Sequence, residues 1–275
     1  MPTATRLIPV PGGHLNVVID GDGPPIVLIH AGIADLRAWD DLVPLLVNAG
    51  HRVIRYDCRG YGASPTDDVE YSNRADLLAV LDAAGVARAV LVGNSRGAMI
   101  ALDTILESPE RVAAFVWVGG GIGGFDGEIS AEEMTMFEAA DAAELAGDVA
   151  TQLDLETRIW VDGVGQPTTR VPARIRDAVI EMNRPLLNPA RTAGTPIPLG
   201  SSANDRLGEI ELPVLAVVGA LDVHDVRDSA MRLETAVRGA RRVVLPDVAH
   251  MVAMEAPEQL ADLITEFVEP LGGWA

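Results

Sequence analysis

Five residues near the middle of the chain have the types and spacing for nucleophilic chemistry. Gly93-Asn94-Ser95-Arg96-Gly97 follows an apolar run, Ala89–Val92, and opens a helix-like run, Arg96–Glu107. G-x-S-x-G between a strand and a helix raises the serine hydroxyl on a sharp, strained turn. Small residues two positions before and after the serine relieve the steric conflict that such a turn creates. The helix N-terminus directly after Ser95 adds oriented N–H groups and a dipole that favour an oxyanion. Ser95 is therefore the candidate nucleophile.

A serine hydroxyl needs a base within hydrogen-bond reach. Of the five histidines, His250 is the candidate. It lies in the turn Pro246-Asp247-Val248-Ala249-His250, after the last strand-like run and before a helix starting near Pro257. In a parallel sheet that turn falls on the same edge as Ser95. An acid that could orient the histidine follows the run Val214–Val218, in Gly219-Ala220-Leu221-Asp222. Asp225 and Asp228 compete with Asp222 for that task, although Asp225 is expected to cap or precede a helix starting near Val226. His30-Ala31-Gly32-Ile33 ends another apolar run, where the N–H of Gly32 can pair with that of Arg96 as an oxyanion hole. His30 itself is expected to be a structural hydrogen-bonding residue. His224 reads as an exposed loop residue, and His14 and His51 as surface or turn residues.

These residues need a frame that brings them to one edge. Leu15–Ile19, Ile26–His30, Val53–Tyr56, Ala89–Val92 and Val112–Val118 read as strands, several apolar throughout, as in strands buried on both faces. Between them, Leu36–Asn48, Ser72–Ala84 and Arg96–Glu107 carry helical spacing, with Gly50 and Gly85 at C-terminal positions and Pro109 as a stop. That alternation predicts right-handed crossovers and a mostly parallel sheet. From about Asp126 to Arg206 the rhythm changes. Glu132–Ala146, Val149–Trp160 and Ala173–Leu187 read as helices, a Pro/Gly/Thr-rich tail runs from Pro189 to Gly200, and no convincing strand is found. Strands resume at Val214–Val218 and Val243–Leu245. Residues 126–206 are therefore expected to form a helical lid (cap) over the C-terminal edge of the sheet, and 1–125 with 207–275 the core.

Composition narrows the partners. The chain has 275 residues, 48% of them hydrophobic, enough for one large domain and too apolar for a disordered chain. A net charge of −19 argues against nucleic acid, against an anionic membrane and, weakly, against polyanionic substrates. The single cysteine, Cys58, excludes an intramolecular disulfide and a multi-cysteine metal cluster, and reads as structural. Met1-Pro2-Thr3-Ala4-Thr5-Arg6 leads into no secretory h-region, and Val112–Phe125 is too short and glycine-rich to span a bilayer. A cytoplasmic location is expected, and the oligomeric state is not indicated.

Taken with Asp57-Cys58-Arg59-Gly60-Tyr61-Gly62-Ala63-Ser64, the motifs His30-Ala31-Gly32, Gly93–Gly97, Gly219–Asp222 and the His250 turn resemble those of the α/β-hydrolase superfamily over essentially the whole chain. The resemblance implies a mostly parallel twisted sheet flanked by helices, with a helical lid inserted after the sixth strand. It also implies the chain order Ser, Asp, His, which favours Asp222 as the acid. The segment Asp57–Ser64 resembles the family's D-x-R-G-x-G-x-S loop, which shapes the turn and the entrance, with Arg59 as a structural ion-pair residue. Two departures stand out. Ala31-Gly32-Ile33 replaces the frequent Gly-x-Pro, and Arg96 is an uncommon residue after the serine, its side chain expected outside the pocket.

A serine nucleophile excludes the haloalkane-dehalogenase and epoxide-hydrolase branches, which use aspartate there. The elbow also differs from the Gly-Gly-Ser-Trp-Gly of proline iminopeptidases. Carboxylic ester or lactone hydrolysis, C–C bond hydrolysis and cofactor-free perhydrolase chemistry remain. Met134, Met136, Phe137, Leu145, Trp160, Met182 and Leu186 of the lid, with Ile33, are candidates for an apolar acyl pocket and favour an uncharged substrate. The expected function is hydrolysis of a small to medium, partly apolar ester or lactone, acyl-homoserine lactones among them, with no metal or organic cofactor. A ligand receptor of the same fold that does not turn over its ligand is the alternative from another class.

Overall fold

The structure is a computed structural model that describes residues 4–274; Met1–Thr3, part of the stretch searched for a secretory signal, lie outside the described residues. Eight strands form one sheet: β1 (Ala4–Val10), β2 (Gly13–Asp20), β3 (Pro25–Ile29), β4 (Arg52–Tyr56), β5 (Ala89–Asn94), β6 (Val112–Val118), β7 (Val214–Gly219) and β8 (Arg241–Leu245). Their order is β1-β2-β4-β3-β5-β6-β7-β8. The β1–β2 and β2–β4 pairs are antiparallel and every later pair is parallel. Strands β3, β5, β6 and β7 are buried at every position, because helices cover both faces of the sheet.

Ten α-helices complete the described residues: α1 (Val43–Asn48), α2 (Asn73–Ala83), α3 (Arg96–Glu107), α4 (Ala131–Ala146), α5 (Val149–Thr157), α6 (Ala173–Asn183), α7 (Ala203–Arg206), α8 (His224–Ala236), α9 (Val252–Glu255) and α10 (Pro257–Val268). Leu77 and Val80 of α2, Ile105 of α3 and Leu233 of α8 pack on one face of the sheet with Phe115 and Trp117. Leu46 of α1 and Leu260 and Ile264 of α10 pack on the other with Ile26, Val116 and Leu215. Parallel strands joined through helices on both faces leave the loops after β3, β5, β7 and β8 on one edge. Those loops carry Gly32, Ser95, Asp222 and His250.

Several boundaries differ from the sequence expectation for local reasons. The first strand, Ala4–Val10, is half of a hairpin with β2 and escapes a search for apolar runs because much of it is exposed and it carries Pro9. With it, Val112–Val118 is the sixth strand of the sheet, and the helical insertion follows it. Leu36–Asn48 is not one helix. A 3-10 turn, Leu36–Trp39, is capped by the Asp35 carboxylate, which accepts from the Arg37 N–H, and α1 starts afresh at Val43 because Pro44 cannot sit in a helix interior. Pro185 likewise ends the third inserted helix at Asn183 and leaves a 3-10 turn over Arg184–Leu187. The tail expected to lack strands pairs Thr195–Pro196 with Glu70–Tyr71. His51 is buried rather than at the surface, stacked on Trp274 with ring centroids 6.0 Å apart.

The Asp57–Ser64 loop is rigid by construction. The Asp57 carboxylate accepts from the Leu36 N–H, the Ala63 N–H and the Asn16 amide at 2.8–2.9 Å. Gly62 turns around it at φ 48°, where a Cβ would stand 2.4 Å from that carboxylate. Arg59 makes the expected ion pair, a two-pronged bond to Asp76 at 2.7 and 2.9 Å with both side chains buried.

The tightest crossing lies where α3 leaves β5. A Cβ on Gly97 would stand 2.1 Å from the Ile29 carbonyl oxygen, and one on Gly93 would stand 2.4 Å from the Gly97 oxygen. Backbone cannot yield by such distances without moving helix from sheet. Gly97→Ala is expected to lower the urea midpoint by an amount equivalent to about 3 kcal/mol, the upper range for overpacking. Gly208→Ala, a position with open space around it, should stay within about 0.5 kcal/mol of the parent in the same melt.

Candidate active site

Ser95 sits between β5 and α3 at φ 55° and ψ −119°, a region that non-glycine residues avoid. The turn is held from both sides. Its N–H donates to the Val118 oxygen at 2.9 Å, and its carbonyl accepts from Ala98 and Met99, the first turn of α3. No hydrogen bond among the described residues engages the Gly32 or Arg96 N–H. The two stand close together: a Cβ placed on Gly32 would lie 3.7 Å from the Cβ and Cδ of Arg96. Two unspent donors next to a raised serine suit an anionic oxygen.

Asp222 and His250 come together from the loops after β7 and β8. Both carboxylate oxygens lie on His250 Nδ1, at 2.9 and 3.0 Å, and both residues are buried. A carboxylate on Nδ1 fixes the proton there and leaves Nε2 with a free lone pair. Asp222 also accepts from the Val223 N–H at 2.9 Å. Backbone is packed hard against the pair: a Cβ on Gly119 would stand 3.1 Å from Asp222 Oδ2 and 3.5 Å from His250 Nδ1. Asn94, the residue before the serine, donates its amide to the Val118 and His250 carbonyls at 3.1 and 3.3 Å. It thereby ties the serine turn to the histidine loop.

The alpha/beta hydrolase family model matches residues 26–263, most of the chain and every residue just described. This chain belongs to that family. Within it, the hydrolase is 26% identical over 269 residues to a 2-hydroxy-6-oxononadienedioate/2-hydroxy-6-oxononatrienedioate hydrolase of Klebsiella pneumoniae subsp. pneumoniae, covering 93% of this chain and 90% of that one. It is also similar to the structure of an N-acyl homoserine lactone degrading enzyme, with a TM-score of 0.75 and 26% identity over 96% of this chain and 100% of the other. A carboxylesterase of Bacillus subtilis shares the fold, with a TM-score of 0.78 at 18% identity, covering 98% of this chain and 93% of the other.

In this hydrolase the two aspartates that competed with Asp222 have other work. Asp225 accepts from the Gly127 N–H at 2.6 Å and Asp228 from the Glu128 N–H at 2.8 Å, which fastens the start of the inserted segment to α8. His224 is not an idle loop residue: its Nδ1 meets both oxygens of Glu133 at 2.9 Å. Glu133 is buried and closes a capping box with Ser130 at the start of α4. His30 bears out its structural reading. Its Nε2 accepts from the Cys58 N–H at 2.9 Å and its Nδ1 meets the Ala31 oxygen at 2.8 Å, which locks the Gly32 loop to the Asp57 loop.

The apolar candidates include two groups and two outliers. Trp160 packs on the His250 ring at a centroid distance of 4.6 Å, with Phe137 5.8 Å behind it. Trp160 reaches the histidine because α5 widens into a π-turn, Arg158–Asp162, instead of continuing as an α-helix to residue 160. Ile33 and Met182 join Ala31, Val161, Ile175 and Met251 in a separate cluster beside the Gly32 loop. Met134 is 43% exposed and Leu145 90% exposed, and neither belongs to either group. The Arg96 side chain lines a cavity of about 620 Å³ with Asn73, Met99 and Leu199, and neither Ser95 nor His250 lines it.

Sequence reading missed Asn94, Arg170 and Glu255. Glu255 is buried and accepts from the Ala249 N–H, next to His250, while pairing with Arg170 at 2.6 Å. Arg170 also donates to the carbonyls of Asp247, Val161 and Asp162, joining the histidine loop to the π-turn that carries Trp160. No local spacing announces a pair 85 residues apart by sequence. Among the described residues, no group of three His, Cys, Asp or Glu side chains could hold a metal ion.

Burial raises the Glu255 carboxyl above its ordinary range, against the pull of Arg170 and the Ala249 N–H. A carboxyl raised in the folded state resists charging, so its ionisation opposes folding as pH climbs past the ordinary carboxylate range. Removing Arg170 strengthens that opposition. Arg170→Leu should cost about 3 kcal/mol in chemical denaturation at pH 8, and distinctly less at pH 5, nearer the range in which a raised carboxyl takes up its proton. An equal loss at both pH values would show that the pairing of charges is not what Arg170 supplies.

Proposed function

We propose that this hydrolase cleaves a carboxylic ester or lactone of a small to medium, partly apolar substrate through an acyl-enzyme on Ser95. The buried Asp222–His250 pair, with both carboxylate oxygens on Nδ1, carries the reading, because it leaves Nε2 as the base for a serine held in strain nearby. Ser95 Oγ attacks the substrate carbonyl while His250 takes its proton. Asp222 holds the imidazole tautomer and stabilises its charged form. The Gly32 and Arg96 N–H groups receive the tetrahedral oxyanion. His250 then protonates the departing alkoxide and activates the water that frees the acyl group. Residues 126–206 act as the lid over a core of 1–125 and 207–275, with Trp160 and Phe137 excluding water from the histidine.

Similarity to the N-acyl homoserine lactone degrading enzyme favours lactones among these substrates. A second reading, C–C bond hydrolysis on the same residues, is favoured by the Klebsiella pneumoniae relative, which covers nearly the whole chain.

A fluorophosphonate probe should label Ser95, and p-nitrophenyl butyrate should be turned over. Ser95→Ala should lower that rate by at least about a thousandfold. Absence of labelling together with an unchanged rate in Ser95→Ala would refute the reading. Base uptake in a pH-stat with acyl-homoserine lactones of several chain lengths, beside a vinylogous 1,5-diketone acid, separates lactone from C–C hydrolysis. Turnover of the diketone alone would replace the first reading by the second.

A further inference from the structure

Trp160 touches the general base of the reaction, and its place there bears on the substrate. Its ring meets the His250 ring at a centroid distance of 4.6 Å and an interplanar angle of 46°, with Phe137 5.8 Å behind it. His250 is buried, whereas Trp160 and Phe137 are half-buried. The two aromatic rings stacked on the base thus keep apolar surface that no part of the chain covers. The indole is also fixed relative to the imidazole. Arg170 bonds the carbonyls of Val161 and Asp162, next to Trp160, and that of Asp247 in the histidine loop.

The chemistry decides which part of a substrate comes to this surface. The tetrahedral carbon carries Ser95 Oγ, the oxyanion, the leaving oxygen and the acyl chain. The oxyanion is drawn to the Gly32 and Arg96 N–H groups. The leaving oxygen must come within about 3 Å of His250 to take its proton. Asp222 occupies Nδ1, so Nε2 is the edge that this oxygen approaches. A group carried on it lies alongside the imidazole, the ring on which the indole packs. The acyl chain leaves the same carbon in another direction.

We propose that Trp160, backed by Phe137, is a specificity-determining residue that forms the wall for the leaving group. The substrate class is then an ester with a flat aromatic alcohol part, aryl or arylmethyl, or a lactone fused to an aromatic ring. An aromatic ring gains from tilted or offset contact with an indole beyond the area it buries, by about threefold to tenfold, and a puckered ring of equal size does not. This assignment moves Trp160 and Phe137 from the acyl pocket, where their apolar type put them, to the alcohol side. The inference rests on the serine-hydrolase reading.

The test compares kcat/KM for benzyl butyrate and cyclohexylmethyl butyrate in a pH-stat, each divided by its rate with hydroxide. The two esters share the acyl group and carbon count and differ in a flat against a puckered ring. The constant covers the steps up to departure of the alcohol. The parent should favour the benzyl ester at least about threefold. Trp160→Leu should bring the ratio close to one, and Trp160→Phe should keep part of it. The ranking of p-nitrophenyl acetate, butyrate and hexanoate, which share one leaving group, should be the same in the parent and Trp160→Leu. A packing role alone would lower both ester rates together and leave the benzyl ratio where it was, which overturns the assignment. A reordered acyl ranking with an unmoved benzyl ratio overturns it too and returns Trp160 to the acyl side. Should Trp160→Leu fail to fold, the parent and Trp160→Phe decide: a parent ratio of one or below, or an undiminished ratio in Trp160→Phe, refutes the wall. Ser95-dependent turnover of both esters with no benzyl preference spares the hydrolase reading, whereas a Ser95 that neither labels nor turns over either ester refutes both.

Discussion

Everything at the site depends on one close approach of backbone to backbone. The turn at Ser95 forces a residue with a side chain into a positive φ, which costs on the order of 1–3 kcal/mol. That conformation persists because β5 and α3 meet β3 at carbonyl distance, through Gly93 and Gly97, and because Val118 accepts the Ser95 N–H. The same crossing positions the Arg96 N–H beside Gly32. Strain at one residue and tight packing at its neighbours are thus two sides of a single constraint. The sheet order follows suit: β3, β5 and β6 must be adjacent for the turn to be gripped from both flanks.

A second layer of contacts converts that turn into a site. Asn94 bonds the His250 carbonyl, Gly119 presses on the Asp222–His250 pair, and Glu255 takes the Ala249 N–H. None of these groups reacts. Each removes a freedom that the imidazole would otherwise have. The inserted segment is anchored to the same few residues, since His224, Asp225 and Asp228 hold its beginning and Arg170 holds its middle. The inserted helices and the loops after β7 and β8 are therefore mechanically continuous.

The central sheet was legible from the chain because its strands are short, β-branched and buried on both faces, and the serine turn because glycine spacing encodes its sterics. Ser95, Gly32, Asp222 and His250 fall on one edge for topological reasons that any alternating strand–helix chain would obey. What stayed hidden obeys no local rule. The hairpin strand Ala4–Val10 carries no apolar run, and Pro44 divides a helix whose periodicity looked continuous. Arg170–Glu255 and Glu133–His224 join residues far apart in sequence. Met134 and Leu145 show the converse: apolar type at helical spacing made them pocket candidates, yet both are exposed and join neither apolar group. Composition tells which residues could line a pocket, and only the phase of each helix tells which do.

Phase is also the lesson of the π-turn at Arg158–Asp162. An α-helix turns about 100° per residue, so a wide turn that absorbs one extra residue offsets everything after it by roughly that angle. Trp160 owes its place on the imidazole to this offset as much as to being tryptophan. Chain length within five residues, not side-chain identity, aims the indole. Losing a single residue there would regularise the helix and swing the ring off the histidine, with every amino acid of the site still present.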